Sequence, residues 1–201
     1  LSARAWLIAA AIAYNSWILG PLLNPALDAP LVSELAATGQ PWAWVFRAGD
    51  LLAVLLLLPT VRKGHVFWWL FLLSTAVEAT FPLHCVSQFT SDELLRSAAC
   101  MTPSAWAHEV SSTFAGIGSI ATVIFAWRAG HKGALLGALH VIAVLVLTAA
   151  IVLQLPGTFV LQRVSIMALS LWWIFAYERS DGFGPIKHQA VRSLHRHKER
   201  R

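Results

Sequence analysis

Between Phe81 and Val110 the chain reads FPLHCVSQFTSDELLRSAACMTPSAWAHEV, which brings together His84, His108, Glu109 and the only two cysteines of the sequence, Cys85 and Cys100. Upstream lie Arg47, Asp50 and Glu78; downstream lie Ser112, Gln154 and Arg163. Two chemistries can use such a set. In the first, Glu78, His84 and His108 hold a zinc ion with a position left for water, an arrangement suited to hydrolysis of a lipid ester or amide. In the second, no metal takes part. It is a binding site in which Arg47 or Arg163 holds a phosphate or carboxylate and the acids orient a polyol or amine; Ser112 and Gln154 are further binding candidates, and Asp50, His108 and Glu109 the candidate catalytic groups. Neither an HExxH zinc helix nor a GxSxG nucleophile turn occurs in the chain.

Each residue also has a plainer reading. Arg47 and Asp50, three positions apart on one helical face, form a structural ion pair. A histidine is satisfied by backbone or water. Glu109 in a first helical turn complements the helix dipole. Asn15 bridges helices, and Arg163 extends to head groups. For the cysteines, a disulfide stands against a metal site of two thiolates and His84. A bridge across a loop of this size contributes about 3 kcal/mol in the chain-entropy view.

The elements that must position these groups are legible in composition. Of 201 residues, 57% are hydrophobic and 12% charged, about half the charge of an ordinary soluble domain. Several apolar runs reach about 18 residues, enough for a helix to cross a bilayer. Trp6, Trp42, Trp44, Trp68, Trp106 and Trp127 fall near the ends of these runs, as interfacial rings do. The expected fold is an all-α, polytopic bundle of six transmembrane helices. Its spans cover about 4–23, 44–61, 65–83, 104–127, 134–155 and 159–177, followed by a basic tail over 179–201. The retained first run shows no small-residue cleavage site.

Orientation follows from the basic loops. Arg62 and Lys63, then Arg128, His131 and Lys132, and finally the tail alternate onto one side, which the positive-inside rule makes cytoplasmic. Both termini are then inside, and the loop bearing both cysteines is outside, where oxidising conditions permit a disulfide. The tail lies near anionic lipid; no nucleic-acid partner is expected, because no recognition fold precedes it.

Within Val32–Leu58 the residues Ser33-Glu34-Leu35, Gly39-Gln40-Pro41 and Phe46-Arg47 form a turn, a small-residue and proline step, and a helix entry. This pattern, with the later FPLHC and the histidine His108 opening the next span, resembles a bacterial six-span membrane family of unknown function. That family is related in pattern to the FGF-receptor-activating, DRAM and post-GPI-attachment membrane proteins. The resemblance implies a six-helix bundle, with Glu34, Arg47, Asp50 and His108 as site positions and a place in a bacterial plasma membrane. His84 stands where the family often has an acid. Glu34 thereby joins the candidate catalytic set, against a plain role for Ser33-Glu34 in starting a helix.

The functional expectation is a polar site at the extracytoplasmic face that binds, and hydrolyses or remodels, a membrane lipid or envelope amphiphile. The alternative is a non-enzymatic accessory subunit whose outer loops dock a protein partner. A transporter is disfavoured, since no inverted repeat or matched pair of broken helices is evident.

Overall fold

A computed structural model describes residues 3–27, 31–60, 66–85, 100, 102–128 and 133–177. Among them every regular element is helical. Helix α1 (Ala3–Tyr14) runs into a 3-10 turn (Ser16–Leu19) and the short α2 (Gly20–Leu23). After α3 (Val32–Leu35) come α4 (Ala43–Leu57), α5 (Val66–Thr80), α6 (Pro103–Arg128), α7 (Ala134–Val152) and α8 (Thr158–Tyr177).

Four helical stretches are long and apolar enough to cross a membrane: Ala43–Thr60, Pro103–Arg128, Ala134–Val152 and Thr158–Ala176. A fifth exists if the pair Arg4–Tyr14 and Ser16–Leu23, bent by 43°, counts as one span. The apolar helix Val66–Thr80 is shorter, covering less than the 65–83 expected. Arg62, Lys63, His131, Lys132 and the tail, on which the orientation rests together with Arg128, lie outside the described residues. Large apolar side chains point outward along the bundle, among them Ile12, Leu55, Leu73, Ile117, Ile142 and Leu145. Such a surface suits lipid and is unfavourable in water.

The six longer helices form a ring. Each packs against the next in sequence, and α8 closes on α1. Asn15 fastens that closing seam: its Nδ2 donates to Ser170 Oγ at 2.9 Å and to Ala11 O at 2.7 Å, while Trp17 Nε1 donates to Asn15 Oδ1 at 3.1 Å. Asn15 is thus the interhelical bridge expected of it. The same residue marks the bend, since the chain leaves α-geometry there with φ −99° and ψ 23°.

Two glycines set how closely the helices approach. A Cβ on Gly49 would lie 2.7 Å from Ala13 O, and one on Gly118 would lie 2.6 Å from Phe71 N. Neither has room for a side chain, so α4 presses on the α1 bend and α6 on α5. The ring interior is filled by Trp68, Phe71, Leu72, Trp172 and Trp173, all nearly inaccessible. Tyr14 caps this plug, with its ring centroid 5.3 Å from that of Trp173 and 6.1 Å from that of Phe71.

The candidate acid–base site

Above the aromatic plug, toward the end that bears the cysteines, α1, α4, α5 and α6 contribute Tyr14, Asp50, Thr75, Glu78 and His108. Glu78 and His108 meet most closely, with Oε1 3.5 Å from Nε2. That distance is in ion-pair range and longer than a hydrogen bond. The other ring nitrogen, Nδ1, lies 3.1 Å from the carbonyl oxygens of both Glu78 and Phe81. Both partners only accept, so Nδ1 must carry a hydrogen. Phe81 lies just beyond the last residue of α5, where carbonyls lack intrahelical partners. His108, side chain 5% exposed, thereby closes the end of α5 and turns Nε2 toward a carboxylate that is 21% exposed. Nε2 and Oε1 thus stand side by side as a candidate base and acid.

Asp50 and Glu109 lie within electrostatic reach of Glu78, and the Ser112 hydroxyl faces the same carboxylate. Tyr14 is within electrostatic reach of both Asp50 and Glu78, and its hydroxyl is beside Thr75. Thr75 is 2% exposed. Of the residues expected from sequence, the fold therefore brings together Asp50, Glu78, His108, Glu109 and Ser112. Sequence reasoning missed Tyr14 and Thr75. Thr75 lies three residues before Glu78 and so shares its helical face, a signal that could have been read; Tyr14 had only its neighbour Asn15 as a hint.

Several expectations are corrected. His84 is exposed beyond α5, and among the described residues no three His, Cys, Asp or Glu side chains are grouped to hold one ion. Glu78, His84 and His108 therefore do not form the expected zinc triad: the turn after Thr80 carries His84 away from the face that Glu78 shares with His108. The cysteines form a disulfide, Cys85–Cys100, with Cα atoms 5.4 Å apart, so they are not metal thiolates. Arg47 and Asp50 are not joined as an ion pair either: the Arg47 Nε is buried without a hydrogen-bond partner.

Glu34 is buried in α3. Its Oε2 accepts the Leu31 N–H at 2.8 Å, capping the start of α3, and it is not among the groups that bear on Asp50 or Glu78. Gln154 is exposed in the α7–α8 turn, with φ 56°. The Arg163 guanidinium lies over the rings of Trp17 and Phe159, 5.4 and 5.3 Å from their centroids, a cation–π position. Neither is gathered with the acids.

The disulfide ties the cluster from outside. It joins the segment leaving α5 to the one entering α6, the two helix ends that bear Glu78 and His108. Ser104 Oγ donates to Pro82 O at 3.0 Å across the same gap, and Thr38 N donates to Leu83 O at 2.8 Å, bringing in the segment before α4. Residues 86–99 of this loop lie outside the described residues.

Comparison with known proteins yields no match to a family model, to a curated protein or to a solved structure. The resemblance to the six-span family thus rests on its motifs alone.

A second polar group sits deeper, between α6, α7 and α8. His140 Nε2 is 3.0 Å from Ser119 Oγ, and Nδ1 is 3.0 Å from Ser165 Oγ. Nδ1 also lies 3.1 Å from the Ser165 carbonyl oxygen, which only accepts, so Nδ1–H donates there and Nε2 is left to accept from Ser119 Oγ, whose other acceptor is Gly116 O at 2.9 Å. A satisfied network of this kind locks helices together.

Proposed function

We propose that the chain is a six-span integral protein of a bacterial plasma membrane, with both termini cytoplasmic, that binds an amphiphile head group at its extracytoplasmic end and hydrolyses it there. The sixth span in this reading is Val66–Thr80 extended by the residues before it, and the basic loops supply the orientation. What carries the chemical part is His108, held with Nδ1–H on two carbonyls and Nε2 toward Glu78. Polar and ionisable groups within a bundle are costly in lipid and by default mark a site.

In the proposed reaction the Glu78–His108 pair takes a proton from water. The oxygen attacks an ester or amide carbonyl, and the proton returns to the leaving group. Asp50, Tyr14 and Ser112 would border the substrate. The test is hydrolysis of extracted bacterial lipids by purified protein, followed by mass spectrometry. Turnover that disappears in Glu78→Gln supports the reading. Equal turnover in that variant, with the fold intact, overturns it.

The accessory-subunit reading is favoured by a separate observation. Trp42, Trp44 and Trp106, 52%, 61% and 57% exposed, crowd the disulfide-bearing end, where indoles serve lipid anchoring or partner docking equally. A partner chain that co-purifies at a fixed ratio, with no turnover, would select that reading.

A further inference from the structure

His140 has one ring nitrogen fixed and the other free to act as a base. Its Nδ1–H donates to Ser165 O of α8 at 3.1 Å, so Nε2 carries the lone pair and accepts from Ser119 Oγ of α6 at 3.0 Å. A serine hydroxyl on the lone pair of an imidazole, with the far N–H held by an acceptor, is the arrangement that activates a serine nucleophile. Here a backbone carbonyl holds that N–H. Ser111, also buried in α6, directs its hydroxyl to the Ala107 and His108 carbonyls of its own helix, at 2.7 and 2.9 Å. Ser119 has a choice between Gly116 O at 2.9 Å and the imidazole. The pair is remote from the acid–base site, since Ser119 lies about 16 Å beyond His108 along α6, away from the disulfide.

Ser119 and His140 are each 2% exposed, so a substrate needs an approach, and the α6–α7 seam offers one. Of the neighbouring pairs in the ring, α6 and α7 pack least extensively. Gly116, one turn before Ser119, leaves a notch in that seam. Among the described residues, the one side-chain atom within 4 Å of a Cβ placed there is Val144 Cγ1, at 3.9 Å. Val144 follows His140 by one turn of α7, so the notch opens between the turns that carry the pair. Gly116 and Val144 are half-buried, and their chain neighbours Ile117 and Leu145 face outward. The way in is therefore apolar and lateral, from the lipid side.

We infer that Ser119 and His140 form a second catalytic centre, within the bundle, that cleaves a long-chain acyl ester entering between α6 and α7. A notch left by one missing side chain admits an extended acyl chain with its ester and is too narrow for a polypeptide. Ser119 Oγ gives its proton to His140 Nε2 and bonds to the ester carbonyl carbon. The carbon–alkoxy bond breaks, and the leaving alcohol takes the proton from Nε2. Water then gives a proton to Nε2 and adds to the acyl-serine, and that proton returns to Ser119 Oγ as the carboxylic acid leaves. Nδ1–H stays on Ser165 O throughout. This centre does not depend on the head-group hydrolysis proposed for the other end of the bundle.

The experiment treats the full chain in lipid nanodiscs with an alkyl fluorophosphonate and locates the adduct by peptide mass spectrometry. The inference expects an adduct on Ser119 that is absent after heat denaturation. His140→Gln should slow labelling about a hundredfold or more, the contribution of a positioned base. Gly116→Leu fills the notch and should block labelling without touching either reacting group; the 3.9 Å clearance at this position lets the fold accept it. A long-chain p-nitrophenyl ester should be cleaved by the unaltered protein and not by Ser119→Ala. No adduct on the unaltered protein, or an adduct on Ser111 instead, overturns the inference. Undiminished labelling of Ser119 in folded His140→Gln does the same, and labelling without ester cleavage overturns the assigned substrate. The unaltered chain and Gly116→Leu keep the test decisive if His140→Gln does not fold.

Discussion

His108 Nε2 in α6 stands 3.5 Å from Glu78 Oε1 in α5, and the imidazole that holds this position also closes the end of the helix that carries the glutamate. The same α5 end thus supplies the carboxylate and the two carbonyls that orient its partner. A disturbance of the α5–α6 junction should therefore reach the chemistry and the stability together, and the predictions separate the two.

His108→Asn keeps a donor near the Glu78 and Phe81 carbonyls but removes the second ring nitrogen. Any turnover should fall about a hundredfold or more, the usual contribution of a positioned acid–base group. His108→Ala should in addition lower stability by about 1–3 kcal/mol, because the carbonyls lose their donor. Thermal unfolding in detergent beside a turnover assay checks both; equal melting points for the two variants would refute the closing role.

Cys85→Ser/Cys100→Ser should cost about 3 kcal/mol for a bridge with a sequence separation of 15. Because the bridge spans the two helix ends that bear Glu78 and His108, amphiphile binding should weaken as well. Unfolding midpoints and lipid titrations with and without reductant measure this. A variant as stable as the parent, binding lipid equally well, would show that Ser104 and Thr38 suffice to hold the junction.

Gly118→Ala places a methyl 2.6 Å from Phe71 N. The neighbouring atom is backbone and cannot swing aside, so the helices must part. Overpacking of this sort costs about 1–3 kcal/mol. Gly39→Ala meets no atom within 4 Å but sits at φ 81°, where only the backbone objects. Melting curves should show Gly118→Ala lowering the midpoint and weakening lipid binding, with Gly39→Ala leaving binding unchanged.

Asn15→Leu removes the seam between α1 and α8 and leaves Trp17 Nε1 and Ser170 Oγ without that partner. Interhelical hydrogen bonds in bundles of this kind contribute roughly 0.6 kcal/mol, at most about 2. Because Ser170 Oγ still donates to Ile166 O at 2.7 Å and only accepts from Asn15, Ser170→Ala should cost less in the Asn15→Leu background than alone. A double-mutant cycle on the unfolding free energy reads the coupling; additive effects would mean that the contact does not hold the seam.

The all-helical architecture and the cysteine pairing were legible in the sequence, because both rest on local or topological signals: apolar runs of membrane length, and two cysteines in one loop. So was the gathering of Asp50, Glu78, His108, Glu109 and Ser112 at one end of the bundle, since position along a span follows from counting residues. Which of them meet did not follow. Counting cannot tell which way a helix is turned, and the close approach at Gly49 and Gly118 sets both the turn and the distance. Arg47 and Asp50, neighbours by spacing on one helix, do not pair, and His84, near Glu78 in sequence, is carried away by the turn after Thr80. Glu34 caps its own helix through the backbone N–H of Leu31. Thr75 shares the α5 face of Glu78, whereas Tyr14 joins the acids from a helix that no local pattern relates to theirs. The sequence by itself determined the elements and the end of the bundle where charge collects, through hydropathy acting along the chain. Only the tertiary structure decided which side chains face one another, because those contacts depend on the rotation and approach of helices far apart in sequence.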